Sequence, residues 1–184
     1  MKDEGDSVRR ECGECQLCCT LLPVVALKKA GGETCRYQEI HKGCTVYRRP
    51  EMPDECSLWS CRWLLNDDAS ELARPNESHY VIDVMPDFIT IRDQAGKTRT
   101  LQVVQIWVDP KYPEAHRDRA LRRWIRKRAK KGIGALVRYS PSRAFALFAP
   151  PLSADDRWHE VGGIVGTSGH TVTEIFEVIK GGPS

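Results

Sequence analysis

Apolar positions along the chain follow two regimes, which meet near Asn66-Asp67-Asp68. Downstream of that point they recur with strand and helix periods. Residues 80–85 and 88–92 each read as a short strand rich in β-branched and aromatic side chains, with Pro86-Asp87 as a break between them. Residues 93–97 carry turn chemistry, and 100–108 form a strand ended by Asp109-Pro110. From 113 to 131 the period lengthens. Leu121, Trp124, Ile125 and Arg128 stand at i, i+3, i+4 and i+7, a narrow helical stripe, and Gly132 is placed to cap it. Two further strands, 135–139 and 143–148, flank the turn Ser140-Pro141-Ser142. The order strand, strand, strand, helix, strand, strand predicts the α+β class: an antiparallel sheet with one basic amphipathic helix on a face. The end of the chain, with Gly181-Gly182-Pro183, predicts loop plus one short helix or strand.

Upstream the pattern is different. Residues 1–66 contain one strong apolar run, 21–27, and are otherwise rich in Gly, Pro and charge. Such a stretch can bury little apolar surface and needs cross-links to hold a shape. It also holds all eight cysteines: Cys12, Cys15, Cys18, Cys19, Cys35, Cys44, Cys56 and Cys61. The expected organisation is therefore an irregular, metal-stabilised cysteine-cluster module over 1–66. An α+β region over 67–184, with its basic helix at 113–131, packs against it.

Composition bounds the setting. A hydrophobic fraction of 41% and a charged fraction of 29% over 184 residues are ordinary for a globular protein. No apolar run approaches the roughly 18 residues of a membrane span. The segment from Met1 to Ser7 is acidic and has no apolar core of a secretion signal, so the expected compartment is the reducing cytoplasm, where thiols persist. A disulphide framework is the alternative that a secreted chain would use.

Three cysteine spacings point to metal chemistry. Cys12-x2-Cys15-x2-Cys18 places three thiols on a tight loop, and Cys19 follows directly. A two-residue gap lets the backbone curl so that both sulphurs face one ion, as in zinc knuckles and in the run of a bacterial-type 4Fe–4S cluster. Cys35-x8-Cys44 and Cys56-x4-Cys61 supply the remaining four. The triple run favours an iron–sulphur cluster, 4Fe–4S above others; zinc accepts the same tetrahedral sulphur and stays open. Neighbours in an extended segment point to opposite sides, so Cys18 and Cys19 can serve different centres. Two four-sulphur sites, one cluster with spare cysteines, or a shared binuclear site all remain open.

The stretch Cys12-Gly13-Glu14-Cys15-Gln16-Leu17-Cys18-Cys19, then Cys35, Cys44 and Arg49-Pro50, then Cys56 to Cys61, resembles the YkgJ-like cysteine-cluster proteins. The likeness covers residues 11–64, about a third of the chain, and extends to all eight cysteine positions. It implies a zinc- or iron-chelating domain with these cysteines as ligands. Flagellin lysine methylases look like larger relatives that carry an iron–sulphur cluster, but no catalytic motif of theirs has a counterpart in residues 65–184. Proline at 50 predicts a rigid extended step between Cys44 and Cys56, and Arg48 or Arg49 could donate to anionic sulphur.

The net charge of +3 is unevenly placed: residues 115–131 carry nine basic side chains against Asp118. Arg117, Arg119, Arg122, Arg123, Arg126, Lys127 and Lys130 offer a surface to nucleic acid or an acidic protein, with Trp124 read as core and not as a stacking platform. The five histidines are scattered, and only His41, between Cys35 and Cys44, is placed to replace a cysteine. Asp155-Asp156 near Glu160 predicts a solvated loop. The run from Gly162 to Gly169 lacks both the phosphate-loop lysine and the dinucleotide spacing, and predicts a loop or turn. No Ser–His–Asp order and no other catalytic constellation names a reaction. The function expected is therefore metal binding, most simply a cluster in a redox or accessory role. The alternative is a structural-zinc interaction module.

Overall fold

The computed structural model describes residues 10–92, 97–164, 170–173 and 179. Its regular elements are α1 (Leu17–Leu21), β1 (Gln38–Glu39), β2 (Gly43–Cys44), α2 (Asp54–Leu58), α3 (Arg62–Leu65), α4 (Pro75–Ser78), β3 (Tyr80–Arg92), β4 (Thr98–Val108), α5 (Arg119–Ala129), β5 (Gly134–Ser140), β6 (Arg143–Phe148), β7 (His159–Ile164) and β8 (His170–Thr173). Short 3-10 turns occupy Val25–Leu27, Asp67–Ala69 and Pro113–Arg117. The class is α+β, and no helix among the described residues is long and apolar enough to cross a membrane.

Strands β3 to β8 form one sheet in the order β7-β6-β5-β4-β3-β8. It is mixed where the sequence predicts it antiparallel: β4 and β5 run parallel, as do β3 and β8. The reason lies in the connection. The α5 crossover between β4 and β5 brings the chain back to the end from which it started, as a strand–helix–strand unit requires. The two expected strands around Pro86 are a single strand, β3, paired with β4 from Tyr80↔Val108 to Arg92↔Thr98. Pro86 fits because a register shift between Ile82 and Pro86 absorbs it, and the described pairing of β8 starts only at Ile89. Of the expected turn at 93–97, residues 93–96 lie outside the described residues. Gly162 and Gly163, expected in a loop, lie in β7; positions 165–169 and 181–183 lie outside the described residues.

The predicted helix 113–131 is two pieces. Asp118 has extended ψ of 136° and cannot continue a helix; it serves as N-cap of α5, its carboxylate accepting from the Leu121 N–H at 2.8 Å. At the far end Gly132, with φ +75°, lets its own N–H reach the Ala129 carbonyl while Ile133 reaches Arg128. Leu121, Trp124 and Ile125 are fully buried against the sheet, each stabilising by about 1.5–3 kcal/mol through apolar burial. The Trp124 Nε1 donates to the Asp68 carbonyl at 2.9 Å, so the ring is core and its polar atom is satisfied.

The N-terminal segment joins this sheet at a seam. Cys61 bridges Asp83 on β3, and the Val84 N–H donates to Ser60 at 3.3 Å. A second, smaller core draws Leu17, Leu21 and Cys61 from the N-terminal segment onto Val81 and Trp107 of the sheet. Arg10 adds a donor to the Asn66 carbonyl at 2.7 Å.

Candidate metal centre

All eight cysteines are free thiols. Each reaches its position by local turn chemistry. The Cys15 N–H donates to the Cys12 carbonyl at 2.9 Å, closing the first knuckle, and Gly13 takes the left-handed φ of +51° that this turn needs. Cys18 and Cys19 lie on α1, and not on the extended segment that the sequence predicts. Helical neighbours diverge by about 100°. Cys18 therefore flanks the Leu17/Leu21 face turned to the sheet, and Cys19 flanks the Gln16/Thr20 face. Gln16 and Thr20 hydrogen-bond Gln38 at 2.7 and 3.3 Å, so that face meets the β1–β2 hairpin. In the hairpin Gln38 pairs with Cys44, and the Gln38 N–H donates to the Cys35 carbonyl at 3.0 Å, which brings Cys35 beside Cys44. Cys56 rides on α2, whose Glu55 carboxylate accepts from the Ala26 N–H at 3.2 Å.

Cys12, Cys15, Cys18 and Cys61 line one cavity of about 20 Å³, closed by Trp63, Leu64, Pro75 and Val81. Burial raises the Cys12 and Cys15 thiols above their ordinary range. Against that, Tyr47 hydrogen-bonds Cys12 with Arg48 beyond it, and the Leu17 and Asn76 backbone and Arg74 act on Cys15. Burial pushes the Cys61 thiol up to about 11, with Cys15 and Cys12 adding to it. On the hairpin side, burial pushes Cys56 up to about 11, with Cys19, Cys35, Cys44 and Glu55 adding to it. Cys44 is also raised by burial, with Cys19 and Cys35 beside it.

The two groups of thiols touch at α1. A Cys18–Cys19 hydrogen bond, with burial, raises Cys18 well above the usual thiol range. The same bond, helped by Lys29 and Cys44 against burial, brings Cys19 down to about 7. Lys29 is a residue that sequence reasoning missed. It is buried, its ammonium donates to the Thr20, Leu22 and Ala30 carbonyls, and its charge faces Cys35 and Cys19. Arg74 was missed too. Neither has a sequence signal, since their placement depends on chain crossings.

Among the described residues, no three His, Cys, Asp or Glu side chains stand together closely enough to hold a metal ion as they are. The donor set nevertheless fits a thiophilic metal. It offers soft sulphur alone, four thiols around one cavity with apolar walls, and cationic Lys29, Arg48 and Arg74 near sulphur.

Other expected sites resolve differently. His41 is exposed, and its ring meets the Glu14 carboxylate at 4.0 Å. Arg49-Pro50 sits in a run of turns instead of an extended step, with the Arg49 N–H on Val46 at 2.9 Å. Asp155 accepts from His159 at 2.6 Å, and Glu160 is taken by His116 and Arg117. The basic helix is partly neutralised: Arg117 pairs with Glu114, Arg122 with Glu160, Lys127 with Glu71 and Arg128 with Asp68. Arg119, Arg123, Arg126 and Lys130 form no ion pair with the described residues and remain exposed.

Comparison of this chain with protein-family models, curated proteins and solved structures found no match.

Proposed function

We propose that this chain is a metal-binding protein of the reducing cytoplasm, with the eight cysteines as ligands and an iron–sulphur cluster as the bound group, in a redox or accessory role. The observation that carries it is the convergence of the Cys12, Cys15 and Cys18 run with Cys61, distant from it in sequence, on one cavity with apolar walls. Thiolates hold iron–sulphur clusters, and a water-poor surround tunes their potential and shields them. The resemblance to the YkgJ-like proteins points the same way. When bound, the cluster supplies one-electron chemistry. The chain supplies the sulphurs, positions them on the Cys12–Cys15 turn, on α1 and at the N-cap of α3, and offsets thiolate charge with Lys29, Arg48 and Arg74. The favoured members of the basic-partner surface are reduced to Arg119, Arg123, Arg126 and Lys130.

A second reading, structural zinc, is favoured by the cavity volume of about 20 Å³, room for one ion and little more. Anaerobic purification with quantification of iron, zinc and acid-labile sulphide separates the two. Iron and sulphide together, with visible absorbance bleached by dithionite, support the cluster. Stoichiometric zinc in a colourless protein establishes the second reading, and metal-free folded protein overturns both.

A further inference from the structure

Resting on the metal-binding reading, we propose that the cysteines form two separate four-thiolate centres: Cys12, Cys15, Cys18 and Cys61 against the sheet, and Cys19, Cys35, Cys44 and Cys56 on the hairpin side.

Three observations support the division. The cavity under α1 admits four cysteines of the first set and none of the second. The second set is gathered by a different part of the backbone. Gln38 pairs with Cys44 and donates its N–H to the Cys35 carbonyl, and the hairpin is tied to α1 through Gln16 and Thr20. The third observation is the α1 helix itself, from which the adjacent Cys18 and Cys19 leave about 100° apart, each toward its own set, while their hydrogen bond marks where the two sets meet. Each set then contains four sulphurs, the complement of one tetrahedral zinc or of one 4Fe–4S cubane. The division also assigns different surroundings. The first centre lies among Trp63, Leu64 and Val81 and is held to β3 through Cys61; the second lies in the loop-rich periphery beside Lys29.

The test uses the full chain, prepared without oxygen. Metal content is measured for wild type, Cys15→Ser and Cys44→Ser, and thiol protection is mapped by alkylation and mass spectrometry during stepwise removal with a chelator. The expected result is a half loss of metal in each variant, from complementary sets. In wild type, partly stripped molecules should show four newly alkylated cysteines belonging wholly to one set. The alkylation map needs no variant, so a Cys→Ser chain that fails to fold leaves a decisive measurement. Loss of all metal in both folded variants, protection of only four cysteines in wild type, or release of all eight in one step overturns the division while metal binding stands. Wild-type protein without any metal overturns the underlying reading itself.

Discussion

Substituting Gly43 by alanine probes how the two cysteine loops are held against each other. Gly43 has φ +86°, and a Cβ built there would stand 2.4 Å from the Gly13 carbonyl oxygen, against 3.4 Å or more for an ordinary contact. The neighbour is backbone on the Cys12–Cys15 knuckle, so relief requires the two loops to part by about 1 Å. The left-handed backbone alone costs about 1–2 kcal/mol for a residue with a Cβ. Forced displacement of packed backbone adds about 1–3 kcal/mol. Gly32 separates the two effects: its φ is +85°, and a Cβ there meets nothing within 4 Å. Metal-replete Gly32→Ala should therefore lose only the backbone part in denaturant unfolding. Gly43→Ala should lose about 1–3 kcal/mol more, and release metal to a competing chelator about 5- to 150-fold faster. Equal destabilisation of the two variants, or wild-type metal release from Gly43→Ala, would refute the close loop packing.

Trp124→Ala should destabilise the fold by about 3–5 kcal/mol in urea titration, since it empties a fully buried site and frees the Asp68 carbonyl. Asp118→Ala removes the α5 cap and the Tyr80 hydroxyl's partner at 3.4 Å, and should cost about 1 kcal/mol, with far-ultraviolet circular dichroism showing fraying of this helix alone. Metal removal should expose the stretch between Cys12 and Cys61 to limited proteolysis while the sheet region resists. Protons compete with metal for sulphur, so metal retention, followed by equilibrium dialysis, should fall as pH falls.

The strands and the helix stripe were legible because their signals are local. Residues 143–148 form β6 as their alternation predicts, and Leu121, Trp124 and Ile125 are buried as their spacing requires. Where the reading failed, non-local pairing had overridden local punctuation. Pro86 looks like a break, yet the bulge beside it lets β3 run through. Asp118 sits inside a helical pattern, but its carboxylate caps α5 and so restarts the chain there. The parallel β4–β5 step follows from the helical crossover between the strands, which the periodicity of either strand alone does not orient. For the candidate site the cysteine positions were plain in the spacing. Their division depends on which face of α1 each sulphur occupies and on the β1–β2 pairing, and no spacing rule encodes either. The charge run was legible too, whereas its partial neutralisation by Glu71, Asp68 and Glu160 depends on acids brought in from distant segments.

The bridge between Cys61 and Asp83 has a bearing on solubility. Ser60 and Cys61 occupy hydrogen-bonding groups on the outer rim of β3 near its beginning, while β8 covers the same rim from Ile89 onward. An uncovered rim of a long strand invites another chain to add to it. A molecule stripped of metal, with its Cys61 turn loosened, bares that rim, so freshly demetallated protein should self-associate through strand addition and clear again when the ion is restored.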